Sequence, residues 1–240
     1  ELTVLINIIM GIDLTVNDFN AKGGVNEGKN DDNSNKNEVA NDIEGELIKS
    51  IYVNCISENY NGIDAIIDKK YTREDIIKDK KERECRRKWL IKDYLSPLLS
   101  MKVNYPGICK NNYVSFRIMK IFCSLVIDEF KDRIMYKDLQ VTSEGPILTL
   151  VINGDVCNIK RKVIEIEENH VLGKYIDIEV YNSDGTKINR KSLGFKPKKC
   201  YMCDEELLDC INDKRHDVNE MKQCIKNELE KYLKNNELKN

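Results

Sequence analysis

Three cysteines and a histidine fall within one short stretch of this 240-residue chain with the spacing C-x2-C-x6-C-x5-H: Cys200, Cys203, Cys210 and His216. Thiolates and an imidazole this close can converge on one tetrahedral metal such as zinc; without metal the same residues are reduced structural thiols. The spacing leaves both open. Lys198 and Lys199 precede the cluster and Lys214 and Arg215 lead into His216, so fixed positive charge beside it suits a phosphate-bearing ligand.

A second constellation is Ile176-Asp177-Ile178-Glu179-Val180. On a strand, residues two apart share a face, so Asp177 and Glu179 present paired carboxylates while the aliphatic residues point to a core. Such a pair can hold Mg²⁺ against a polyphosphate; the plain alternative is the solvated face of an amphipathic strand. Gly173, just upstream, would let a phosphate approach the backbone. The turn Asn104-Tyr105-Pro106-Gly107, followed by Lys110, could aim backbone N–H groups and an ammonium at an anion. Lys80, Lys81, Arg83, Arg86 and Arg87 form a basic series in which Arg83 and Arg86 share one helical face. His170 is one of two histidines and follows a helical segment, where it could ligate, carry a proton or complement the helix dipole.

The elements that must position these residues read as follows. Thr72 is a helix N-cap with Glu74 and Asp75 in the first turn, opening a long helix with one wet face that ends before Pro97. Leu98 to Val103 is a strand, Tyr113 to Phe130 a helix, and Ile147 to Ile152 a buried strand. Asp155 to Glu168 is a helix with Val156, Ile159, Val163 and Ile166 inward. Tyr175 to Tyr181 is a strand closed by the Asn182-Ser183-Asp184-Gly185 turn, and Asp217 to Lys234 a terminal helix. This order predicts an α+β fold, a mixed sheet packed by helices, with a Cys-rich carboxyl-terminal segment.

Composition sets the outer limits. Hydrophobic residues make up 41% and charged residues 33%, and the mean hydropathy is −0.52, enough for a core of roughly 150 residues. Residues 1–16 are a short apolar segment without a basic flank, 17–46 a disordered Asn/Asp/Gly-rich linker, and 47–71 an ambiguous extension. The folded domain is expected over 72–225, with 226–240 a helix end and charged tail. The chain begins at Glu1 rather than Met, as a fragment or trimmed product would. A net charge of −2 excludes a general nucleic-acid coat or polybasic membrane patch. Nine cysteines without an export signal point to reduced thiols in the cytoplasm.

Taken together, these residues resemble the citrate lyase holo-acyl-carrier-protein synthase (CitX) family. The matching pieces run in order. They are Thr72-x-Glu74-Asp75-Ile76-Ile77 with Arg83 and Arg86, Asn104-Tyr105-Pro106-Gly107 with Lys110, and Glu144-Gly145-Pro146. Next come His170-Val171-Leu172-Gly173 through Asp177-Ile178-Glu179, then Arg190, the three clustered cysteines and His216. Glu179 stands where the resemblance leads one to expect Asp. The resemblance implies transfer of 2′-(5″-triphosphoribosyl)-3′-dephospho-coenzyme A to a serine of the apo acyl-carrier subunit of citrate lyase, with diphosphate leaving. It implies that Asp177 and Glu179 bind Mg²⁺ and that Lys110, Arg190, Lys198, Lys199, Arg83 and Arg86 neutralise phosphates. His170 would orient a phosphate or accept the serine proton. The Asp-x-Glu after Leu-Gly also looks like the metal motif of nucleotidyltransferases of the DNA polymerase β type. Two alternatives stay open: a non-enzymatic zinc-clipped adaptor for an acyl-carrier partner, and the same transfer onto the malonate decarboxylase carrier.

Overall fold

The structure, a computed structural model, describes residues 71–237. The segments 1–16 and 17–46, and all but the last residue of 47–71, lie outside the described residues. Helix α1 (Arg73–Tyr94) starts where the sequence predicts, because Thr72 and Asp75 form a reciprocal capping box. The Thr72 hydroxyl accepts the Asp75 N–H at 3.1 Å and the Asp75 carboxylate accepts the Thr72 N–H at 2.8 Å. The helix stops at Leu95, held left-handed at φ 50° two residues before Pro97. Only Leu90 and Ile91 of this helix are buried; Arg83, Arg86 and Arg87 instead lie half-buried against the sheet.

Strand β1 (Leu98–Val103), helix α2 (Tyr113–Phe130), strands β2 (Ile134–Thr142) and β3 (Gly145–Ile152), helix α3 (Val156–Asn169) and strand β4 (Ile176–Tyr181) follow in order, then α4 (Leu207–Asp213) and α5 (Val218–Glu237). The sheet order is β2-β3-β1-β4, and all three pairings are antiparallel. This corrects the expectation of a mixed sheet. Without β2, the path β1-α2-β3 would be a crossover joining parallel strands. With β2 present, a tight hairpin through Ser143 and Glu144 reverses β3 against β1. The fold is α+β: one antiparallel sheet with helices on both faces and the Cys/His cluster near its carboxyl-terminal end.

Strand alternation divides the sheet into two faces. On one, Leu99, Met101, Val103, Leu148, Leu150, Ile152, Ile176, Ile178 and Val180 pack with Phe116, Met119, Phe122 and Val126 of α2, Ile159 and Val163 of α3, and Ile225 and Leu229 of α5. A fully buried side chain of this size contributes about 1.5–3 kcal/mol. On the other face α1 supplies Leu90 and Ile91 against Leu98, Val151 and Tyr181, and beside the buried Ile147 that face carries the polar Ser100, Lys102, Thr149, Asp177 and Glu179.

The inward set of α3 differs from expectation. Its buried residues are Ile159, Lys160, Val163, Ile164 and Glu167, while Val156 and Ile166 are only partly covered. A lysine and a glutamate therefore sit on the stripe that helical periodicity would reserve for apolar side chains.

Candidate functional site

The paired acids lie where the strand pattern requires. Asp177 and Glu179 share the α1 side of β4, opposite Lys102 and Ser100 of β1. Their surroundings differ. One Glu179 oxygen accepts Lys187 at 2.5 Å and the other the Tyr181 hydroxyl at 2.8 Å, with Arg83 at 3.9 Å. Burial pushes the Glu179 carboxyl up, but the Lys187 and Tyr181 hydrogen bonds and the charges of Lys187 and Lys102 overcome this and hold it down at about 2. Asp177 has no ion-pair partner within 4.0 Å among the described residues. No third carboxylate converges on the pair: among the described residues, the only group of three or more potential metal ligands is the Cys/His cluster.

The helix arginines act mainly as struts. Arg83 holds the buried Glu144 with two parallel hydrogen bonds of 2.8 and 3.0 Å. Arg86 reaches the Tyr136 hydroxyl at 2.6 Å and Asp138 at 3.0 Å. Arg87 stacks over the Tyr181 ring at 4.1 Å. The space left between these arginines and the sheet is only about 10 Å³, so they close this face rather than line an open cleft.

The Pro-Gly turn has a packing role as well. Gly107 is left-handed at φ 81°, and a Cβ there would lie 3.4 Å from Val218 of α5. The Asn104 N–H donates to the Tyr175 carbonyl at 2.7 Å. Lys110 folds back onto the Tyr105 carbonyl at 2.5 Å; burial first and the nearby charge of Lys102 second lower its affinity for a proton.

The remaining expected residues line a single cleft of about 680 Å³ at the outer edge of β4. His170, Gly173, Arg190, Lys198 and Lys199 meet there, joined by Lys174 and Lys196. The His170 ring lies between Phe122 and Tyr232, at 4.8 and 5.0 Å, and burial lowers its pKa. Its Nδ1 accepts the Leu172 N–H at 3.1 Å, so the neutral ring carries its proton on Nε2 and offers a donor there. Gly173 serves packing: a Cβ would come within 1.8 Å of the Glu167 carbonyl oxygen. The expected site residues thus fall into two groups on either side of β4, with Asp177 and Glu179 on the α1 face and the basic cleft along the free edge.

The four cluster residues converge. His216 Nε2 lies 3.4 Å from Cys200 Sγ and 3.2 Å from Cys203 Sγ, Cys203 lies 3.2 Å from Cys210 Sγ, and all four ligand atoms are within 4.8 Å of one another. A tetrahedron with metal–sulfur bonds of about 2.3 Å has edges in this range. The cluster could therefore hold a metal ion. Cys200 also borders the cleft.

The sequence matches the family described as CitX, apo-citrate lyase phosphoribosyl-dephospho-CoA transferase, over residues 71–232. The chain belongs to this family. It is similar to an apo-citrate lyase phosphoribosyl-dephospho-CoA transferase of Escherichia coli O7:K1, 26% identical over 150 residues that cover 61% of this chain and 82% of that protein. The corresponding transferase of Citrobacter koseri is 23% identical over 150 residues, with the same coverage. Protein CitXG of Leuconostoc mesenteroides subsp. cremoris is 28% identical over 155 residues, 60% of this chain but only 32% of that longer protein. The phosphoribosyl-dephospho-CoA transferase match begins at Tyr71, at the edge of α1, and ends at Tyr232 within α5. Among the described residues no helix is long and apolar enough to cross a membrane.

Several residues that shape this region were missed in the sequence, Glu167, Lys160, Lys102 and Lys187, while Glu144 entered only as part of the Glu144-Gly145-Pro146 match. A readable signal existed for two of them. Lys160 and Glu167 fall with Val163 and Ile164 on one i, i+3, i+4, i+7 stripe, and a charged pair on an otherwise apolar stripe marks a buried ion cluster.

Proposed function

We infer that this chain transfers the phosphoribosyl-dephospho-coenzyme A group from its 5″-triphosphate to a serine of the apo acyl-carrier subunit of citrate lyase. The carrying observation is family membership over residues 71–232. In this reaction the serine oxygen bonds to the α-phosphorus and gives up its proton to solvent, the bond from that phosphorus to the bridging oxygen breaks, and diphosphate departs with the electron pair.

The residue roles follow from charge and position. Arg190, Lys198 and Lys199 receive the polyphosphate in the cleft along β4, supported by an excess of basic over acidic side chains among its lining. His170, neutral and with Nδ1 occupied, donates to a phosphate oxygen rather than accepting the serine proton. Gly173 keeps the cleft floor seated on the end of α3. Arg83, Arg86 and Lys110 act through their field, since they lie outside the lining of that cleft. Asn104 and Gly107 shape the turn that carries Lys110. Asp177 and Glu179 would hold Mg²⁺, which when bound draws charge from the donor phosphates. Asp177 fits this role as it stands; Glu179 fits it by exchanging Lys187. The Leu172-Gly173 and Asp177-Ile178-Glu179 pattern supports a nucleotidyltransferase architecture of the polymerase β type. The Cys200, Cys203, Cys210 and His216 set fits structural Zn²⁺ by ligand type and spacing.

The test is direct. The chain is mixed with apo carrier subunit, the triphosphoribosyl donor and Mg²⁺, and the carrier is weighed by mass spectrometry. A gain equal to the prosthetic group is expected; an unaltered carrier mass with every divalent metal tried removes the transferase reading.

A further inference from the structure

Among the described residues strand β4 is the last strand of the sheet, and one side of its backbone has no neighbouring strand there. The outward groups belong to Ile176, Ile178 and Val180, and charged side chains take three of them. Lys198 donates to the Ile176 carbonyl. Glu167 accepts the Ile178 N–H at 3.2 Å and Lys160 donates to the Ile178 carbonyl at 2.7 Å. Backbone meets the Ile176 N–H, through the Gly173 carbonyl, and the Val180 carbonyl, through the Ile188 N–H at 2.9 Å. Buried backbone polar groups need partners, and here ammonium and carboxylate groups replace a strand.

Glu167 is the hub of this arrangement. Its side chain is 3% exposed. One oxygen accepts Lys198 at 2.7 Å together with the Ile178 N–H, and the other accepts Arg190 at 2.7 Å. Arg190 is steadied further by Glu168 at 2.8 Å. The single Glu167 carboxylate therefore fixes two of the cations that face the cleft, Arg190 and Lys198, and the peptide lying between Asp177 and Glu179.

We propose that Glu167 is the positioning residue of the transfer site, aligning the polyphosphate-binding Arg190 and Lys198 with the acid-bearing segment of β4. This rests on the transfer reading given above. Because Glu167 neutralises those cations while orienting them, its removal affects binding and turnover in opposite directions. An amide in its place frees positive charge and strengthens the attraction of the cleft for polyphosphate, but releases both side chains from their fixed geometry. A misplacement of about 1 Å near reacting groups can cost on the order of 100-fold in rate.

The experiment compares wild type, Glu167→Gln and Glu167→Asp for kcat and KM in carrier modification, for folding by cooperative urea unfolding, and for binding of inorganic tripolyphosphate by calorimetry. For Glu167→Gln, kcat should fall on the order of 100-fold while tripolyphosphate binds severalfold more tightly. A folded Glu167→Gln protein with kcat within about twofold of wild type, or with tripolyphosphate affinity unaltered or weakened, overturns the proposal. Should Glu167→Gln fail to fold, Glu167→Asp decides. Its carboxylate, one methylene short, cannot bridge Arg190, Lys198 and Ile178 together, so kcat should drop at least about tenfold, and wild-type kcat overturns the proposal. A wild type that modifies no carrier would sink the transfer reading alone; the tripolyphosphate titration then still decides the role of Glu167.

Discussion

Lys102 of β1 stands directly opposite Asp177 of β4, yet its ammonium turns to Glu144 at 3.9 Å and leaves the Asp177 carboxylate without an ion-pair partner among the described residues. Opposed charges across an antiparallel pair usually engage each other. Here the structure satisfies Glu144 twice, through Arg83 and Lys102, and keeps Asp177 available.

Asp177→Asn should therefore spare the fold and remove activity. The urea midpoint should stay within experimental error of wild type, while carrier modification falls on the order of 100-fold or more, the upper end of what disturbing a metal's surroundings costs. A variant that keeps near wild-type turnover would remove Asp177 from the site.

Glu144 behaves in the opposite way. It is buried, and Arg83, itself largely covered, grips it with two hydrogen bonds. Glu144→Gln leaves the guanidinium with only the Glu179 carboxylate at 3.9 Å and should destabilise the domain by about 3 kcal/mol, the low end for breaking a buried pair. Equilibrium urea unfolding measures this, and a loss below about 1 kcal/mol would place the pair among ordinary surface bridges.

Gly173→Ala tests the contact between the cleft floor and α3. The added methyl would overlap the Glu167 carbonyl oxygen, at 1.8 Å, and backbone cannot yield as a flexible side chain would. A cost of about 3 kcal/mol is expected, the upper end for overpacking, with a matching fall in thermal midpoint. An unaltered midpoint would mean that the loop re-seats freely.

The Glu179 carboxyl is held at about 2 against an ordinary 4.5, after burial is outweighed by Lys187, Tyr181 and Lys102. A carboxyl depressed on folding adds stability that is fully present above its unfolded value and lost as pH falls through its folded value. Lys187→Met should thus be less stable than wild type above pH 4.5, with the gap closing as the pH approaches 2. Urea denaturation at several pH values reads the gap directly; a difference independent of pH would assign the loss to packing.

Freshly purified protein should carry about one equivalent of zinc, and Cys203→Ser should lose most of it along with stability in the carboxyl-terminal segment. Elemental analysis with chelator-treated controls checks this. Unchelated protein without any bound metal would reduce the four residues to thiols and an imidazole in van der Waals contact.

Much of the fold was legible in local chemistry. Thr72 with Asp75 announced the start of α1, and the bounds of α2 at Tyr113 and Phe130 followed from its apolar stripe. The alternation in β4 placed Asp177 and Glu179 correctly on one face. Strand β2 escaped because only Leu139 of its nine residues is buried, so no apolar run marks it. Its omission then gave the wrong sheet type. Helix α4 escaped for a different reason: only Cys210 of its seven residues is buried, and the Cys/His cluster holds it in place rather than an amphipathic stripe. Among site residues, Arg190 and Lys198 were legible as cations but not as partners of Glu167, because that relation depends on which edge of the sheet β4 occupies.

The charged seal along β4 also bears on self-association. An uncovered terminal strand invites a second molecule to extend the sheet. Here Lys160, Glu167 and Lys198 occupy the hydrogen-bonding sites an incoming backbone would need. Growth of the sheet from this rim would require breaking three ionic attachments first, so the protein can be concentrated without polymerising along that border.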